Sequence, residues 1–241
     1  MRRRLCLLAL LPACVGPGTG SDSSLARFAY VVLTETERVD EMSGDPDSKG
    51  MFQDLLRAHE NWLGALTDTR LLLAAGPLSS GSSDSGEARA TFARGLLLLD
   101  LETKELIDGV VSRNPAIAEG LFAVETGVFE SSRTLRRAPF LDLVARSLEG
   151  GGDDSFRPEA TAVDYLVVLA ARPGPLTTGL EGLESEPILE ATIDDGRPVV
   201  LYNAKDQGDL EDQVGSEAKV FLWRSTKGLR AIAVEPRVPG M

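Results

Sequence analysis

FAYVVLTETE, residues Phe28 to Glu37, is a continuous apolar run that ends in charge, and DYLVVLAARPGP, residues Asp164 to Pro175, restates its centre as Tyr165-Leu-Val-Val-Leu169. Runs of this length, partly β-branched and bounded by polar residues, read as buried strands. The fold turns on what lies between and after them.

Downstream of the first run, ERVDEMSGDPDSKG (37–50) is polar and turn-rich and reads as a loop. MFQDLLRAHENWLGAL (51–66) sets Phe52, Leu55, Leu56, Trp62, Leu63 and Leu66 at helical spacing. RLLLAAGPL (70–78) reads as a second strand, stopped by Gly76-Pro77. After the loop SSGSSDSGEARA (79–90), ARGLLLLDLE (93–102) reads as a third strand. Thr103 is placed to cap a helix in TKELIDGVVSRNPAIAEGL, interrupted near Pro115, and LFAVETGVFE (121–130) closes the unit as a fourth strand. The order β-α-β-β-α-β predicts an α+β, ferredoxin-like unit with helices on one face of an antiparallel sheet.

APFLDLVARSL (138–148) reads as a short helix, and GGGDDS (150–155) as a linker. The second region echoes the first. GRPVVLYNAK (196–205) answers the second strand, AKVFLWRSTK (218–227) the third and LRAIAVEPRV (229–238) the fourth. Thr226-Lys227-Gly228 then reads as a hairpin where the first copy has a helix. The expected divisions are a leader and tether (1–24), an α+β domain (26–131), a helix and linker (132–160), and a second α+β region (161–241). That last region reads as a degenerate repeat over 163–238, unless two small α+β domains merely look alike.

Composition narrows the function. MRRRLCLLALLPACVG combines a basic start with an apolar run too short to span a membrane, as an export signal does. Leu11-Pro12-Ala13-Cys14 resembles a bacterial lipobox, which marks Cys14 for lipidation; the alternative is a secretory signal cut near GPGTGSDSS. Cys6 and Cys14 are the only cysteines, so the body carries no disulfide. The expected location is the cell envelope, anchored at Cys14, or the periplasm or exterior, with membrane contact only through the lipid. The formal charge of −12 becomes −15 once Arg2, Arg3 and Arg4 leave, a balance that repels nucleic-acid phosphate.

His59 is the only histidine. A zinc site would need more ligands, and no phosphate-binding glycine loop or GxSxG elbow is present, so no metal or cofactor is expected. Asp194-Asp195-Gly196-Arg197 reads as a turn, and Trp62 and Trp223 as core or interface aromatics.

Residues 28–130 resemble the YCII-related family of the dimeric α+β-barrel superfamily. FAYVVL, His59 on the first helix, Arg70 through Leu78 with its Ala-Gly76-Pro77, Asn114-Pro115 and Glu119-Gly120-Leu121 carry the resemblance. It implies two sheets packed face to face around a cavity that holds a small molecule. The second sheet comes either from the second half of this chain, as an internal pseudo-dimer, or from a second copy. The family's chemistry rests on a histidine and an aspartate before a proline. His59 matches the former; Asn114 stands where the aspartate would be. A carboxylate favours imidazolium and orients the ring, whereas an amide does neither by charge. Asp108 and Glu60 are the carboxylates nearest in sequence.

Two functions follow. One is a small-molecule-binding or structural module with a degraded dyad, in which Gly76 and Pro77 bring backbone close to a ligand. The other is a small enzyme using His59 in the barrel cavity as general acid or base on a carbonyl-bearing substrate. Haem binding through His59 has no second supporting signal.

Overall fold

The computed structural model describes residues 25–80, 94–148, 162–174, 187–204, 218–226 and 229. The leader with Cys14, the linker 150–155, most of the serine-rich loop and LRAIAVEPRV apart from Leu229 lie outside them, as do Lys227 and Gly228 of the expected hairpin.

Among the described residues eight strands form the sheet: β1 (Leu25–Glu35), β2 (Leu72–Ser80), β3 (Arg94–Leu99), β4 (Phe122–Ser132), β5 (Ala162–Ala170), β6 (Leu189–Ile193), β7 (Pro198–Asn203) and β8 (Ala218–Thr226). The helices are α1 (Glu37–Gly44), α2 (Lys49–Asp68), α3 (Lys104–Val111), α4 (Pro115–Ala118) and α5 (Ala138–Leu148), with a 3-10 turn at Arg133–Arg137. The fold is mixed α+β, mostly strand, built on one closed antiparallel barrel in the order β1-β3-β2-β8-β5-β7-β6-β4.

That ring contains two runs with the same internal order. The first four strands lie as β4-β1-β3-β2 and the last four as β8-β5-β7-β6. Two seams join the runs. At one, β2 meets β8 (Leu78↔Trp223, Ser80↔Phe221); at the other, β6 meets β4 (Phe129↔Ile193, Glu130↔Thr192). In each seam the second strand of one run pairs with the fourth strand of the other. The sequence echo is therefore offset by one strand. GRPVVLYNAK supplies β7, which holds the place of β3, and AKVFLWRSTK supplies β8, which holds the place of β4. The missing strand is β6, whose five residues LEATI form too short a run to stand out. The hairpin of the second run is β6–β7, turning through Asp194–Arg197 with Gly196 at φ 81°.

Alternation of side chains across each strand builds two layers of core. Phe28, Leu78, Leu96, Leu98, Phe129, Tyr165, Val167, Leu201 and Trp223 belong to one buried cluster shared by both runs. Ala29, Val31, Leu33, Leu97, Leu99 and Val128, on the opposite faces of their strands, pack with Trp62 and Leu66 of α2 and Ile107 and Val111 of α3. The two periodicities, two for strands and 3.6 for helices, thus meet on the outer face of the first run.

Three local results differ from expectation or sharpen it. The segment ERVDEMSGDPDSKG holds α1, which is mostly polar but buries Met42 against Ala116 and Leu121. Strand β2 continues through Gly76-Pro77 to Ser80, rather than stopping there. Pairing with β8 begins only at Leu78, so the imino nitrogen of Pro77 interrupts no ladder on that flank. Thr103 does cap α3, its side chain accepting from Leu106 N–H at 3.4 Å.

Candidate functional site

His59 meets Asn114 where the middle of one helix faces the start of another. Helix α2 presents the ring one turn before Trp62. Asn114 is the N-cap of the short α4, with Pro115 at the first helical position, where a missing N–H costs nothing. Asn114 is fully buried. Its Oδ1 accepts from Ala116 N–H at 3.0 Å, which fixes the amide, so Nδ2 is the group facing His59 Nδ1 at 2.7 Å.

This orientation sets the state of the ring. An amide N–H₂ can only donate, so His59 Nδ1 is the acceptor and the ring proton sits on Nε2. Protonating Nδ1 would set two donors against each other. Burial against apolar neighbours pushes the His59 pKa below its ordinary value, with the Glu60 charge working weakly in the other direction. An amide oxygen turned onto Nδ1 would also raise it, but that oxygen is committed to Ala116. The ring stacks near Trp62 at 5.8 Å between centroids and tilts against Phe122 at 5.0 Å. Trp62 is anchored by its Nε1–H donating to Val110 C=O at 3.2 Å. Glu60 and Asp108 are both solvent-exposed, and neither forms a hydrogen bond to the ring.

The pair sits on the helix-covered outer side of the barrel, not in its interior. Trp62, the ring's neighbour on α2, packs with the outward residues of β1 and β3. The interior cavity, about 150 Å³, is lined by apolar side chains including Val32, Leu98, Phe129, Val167, Leu169 and Phe221, and by three polar ones, Tyr30, Glu125 and Arg197. Neither His59 nor Asn114 is among its walls, which places the histidine outside the chamber where the family resemblance would put it.

Gly76 and Pro77 do not line the cavity either. Gly76 is a point of backbone contact: a Cβ there would lie 1.7 Å from the Arg224 carbonyl oxygen. Around it the β2–β8 seam is tied by Trp223 Nε1–H donating to Gly76 C=O at 3.3 Å and Ser225 Oγ–H donating to Ala75 C=O at 2.9 Å. The close approach expected of this glycine is real, but the molecule approaching is the chain's own second run.

The polar residues of the cavity carry no motif and were not singled out in the sequence. Tyr30 occupies the third position of the first apolar run; Glu125 begins a polar pair inside β4; Arg197 ends the β6–β7 turn. The available signal was alternation, since Tyr30, Glu125 and Val32 fall on the inward parity of their strands. Among the described residues no three His, Cys, Asp or Glu side chains converge as a metal site would require, and no helix is long and apolar enough to cross a membrane. Comparison with protein families, curated proteins and solved structures returns no match.

Proposed function

We propose that this chain is a binding module rather than a catalyst, and that it takes a small, largely apolar molecule inside its barrel. The observation that carries the reading is the separation of the two features: a lined interior cavity on one side of the sheet, and on the other a histidine whose pKa burial lowers and whose Nδ1 faces an amide. A proton-transfer catalyst needs a titratable group beside its substrate. Here the only imidazole faces Trp62, Phe122 and Asn114.

The same reading accounts for the ring of strands. Two runs with one internal order, joined by two equivalent seams, are what fusion of two YCII-related, ferredoxin-like units would produce: an internal pseudo-dimer in place of two subunits. The first run keeps the helices and the His59–Asn114 pair; the second supplies half of the cavity wall through Val167, Leu169, Val199 and Phe221. The leader delivers the module to the cell envelope, with Cys14 as the lipid attachment point. A mature N-terminus at Cys14 carrying a lipid mass shows this, and an unmodified N-terminus further along rules it out.

A cavity of this size and lining suits a molecule about as large as benzene. Calorimetry with benzyl alcohol on the full-length body is expected to show saturable binding. Leu98→Trp, or Ala191→Phe if the first variant unfolds, abolishes it by filling the space. His59→Gln leaves it unchanged. Binding that survives both filled variants, or that disappears with His59→Gln, sinks the proposal.

A further inference from the structure

The wall of the cavity carries a charge pattern, and the inference drawn from it rests on the cavity being the binding site. Three polar side chains lie in its wall: Tyr30 on β1, Glu125 on β4 and Arg197 just before β7. Tyr30 is held in place by an empty position across the ladder. It pairs with Gly127, and a Cβ on that glycine would fall 2.5 Å from the tyrosine Cε1 and hydroxyl. The ring therefore lies over Gly127, two residues along the same face from Glu125. Burial raises the Tyr30 pKa and the Glu125 charge raises it further, so the hydroxyl stays protonated and neutral.

The two acidic residues of the neighbouring turn are already engaged. Arg197 Nε–H donates to Asp195 Oδ2 at 2.6 Å, and the Arg197 backbone N–H donates to Asp195 Oδ1 at 3.1 Å. Asp194 pairs with Arg27 at 3.1 Å and accepts from Val128 N–H at 3.1 Å. Glu125 has no ion-pair or hydrogen-bond partner among the described residues. The local sum around Tyr30 is three carboxylates, Glu125, Asp194 and Asp195, against two guanidiniums, Arg27 and Arg197, which leaves one negative charge beside the polar part of the cavity wall.

We infer that the barrel binds small apolar amines, the ammonium pairing with Glu125 and resting against the Tyr30 ring while the apolar body enters the cavity. An ammonium supplies donors that a carboxylate and a tyrosine oxygen can accept, and aromatic faces attract it further. An anionic ligand would meet an Arg197 whose charge is already paired with Asp195, and would face the Glu125 carboxylate. A neutral ligand gains the apolar burial alone.

Three probes of one shape separate these cases: benzylamine, benzyl alcohol and benzoate, titrated calorimetrically at neutral pH and low salt. Benzylamine is expected to bind about fivefold more tightly than benzyl alcohol, the scale of a solvent-accessible charge pair, and benzoate more weakly than either. Glu125→Gln, on an exposed side chain, is expected to remove the amine's advantage over benzyl alcohol. Benzoate as the tightest ligand, or an amine preference that survives Glu125→Gln, overturns the inference. Equal binding of amine and alcohol overturns it too, while leaving the cavity as the binding site. Absence of binding by all three overturns both.

Discussion

Asn114 faces His59 with its amide nitrogen, at 2.7 Å, because its oxygen is held by Ala116 N–H at 3.0 Å. One cap hydrogen bond of a four-residue helix thereby decides which imidazole nitrogen carries the proton. The ring is fixed as the Nε2–H tautomer.

Asn114→Asp tests this directly. A carboxylate can accept from Ala116 N–H and from His59 Nδ1–H at once, so the variant is expected to move the ring proton to Nδ1 and to raise the His59 pKa above that of the parent. Nitrogen chemical shifts of the single histidine across a pH titration read both changes. An unchanged tautomer in the variant would mean that the cap does not set it.

The depressed His59 pKa has a signed effect on stability. The unfolded chain takes up its proton first, near the ordinary value of about 6.5, while the folded chain resists until lower pH. The contribution is therefore complete above the unfolded value and is lost as pH falls through the folded one. Urea midpoints of the parent, less those of His59→Gln, are expected to decline on acidification across that window. A difference independent of pH would contradict it.

At the β2–β8 seam, Gly76→Ala places a methyl group against backbone, not against a side chain that can swing aside. The expected cost is about 3 kcal/mol, at the upper end for overpacking, read from chemical denaturation. Ser225→Ala, which leaves the Ala75 carbonyl without its buried donor, is expected to cost about 1 kcal/mol. Comparable small losses from both would show the seam to be looser than the contact distances require.

Arg70 occupies a position that normally favours glycine. Helix α2 ends with Arg70 N–H donating to Thr67 C=O and Leu71 N–H to Leu66 C=O, both at 2.9 Å, and Arg70 sits at φ 59°. Helix α4 ends the same way, with Gly120 at φ 76° in the equivalent place. Arg70→Gly is expected to stabilise the protein by about 1 kcal/mol, since the left-handed strain of a non-glycine residue is removed. Thermal denaturation checks the sign; a lower midpoint would indicate a role for the Arg70 side chain.

Much of the first run was legible because its signals are local. Four apolar stretches, the Thr103 cap, the break before Pro115 and the helix at Ala138–Leu148 each depend on residues close in sequence. The His59–Asn114 contact was legible only through a family resemblance, since nothing local ties residues 59 and 114. What could not be read was long-range. Strand β6 is short, and its neighbours in the ring, β4 and β7, are specified by pairing rather than by propensity. Helix α1 buries one methionine among polar residues, so its periodicity is faint. The cavity's Tyr30, Glu125 and Arg197 come from three strands or turns and converge only once the barrel closes.

Both seams of the ring join segments of one polypeptide, and every described strand has a neighbour on either side. An assembly made from separate subunits dissolves into halves when diluted, because its cohesion depends on encounter between molecules. Here the two halves are never farther apart than their covalent tether allows. Completing the barrel is accordingly a first-order event, which needs no encounter with a second molecule.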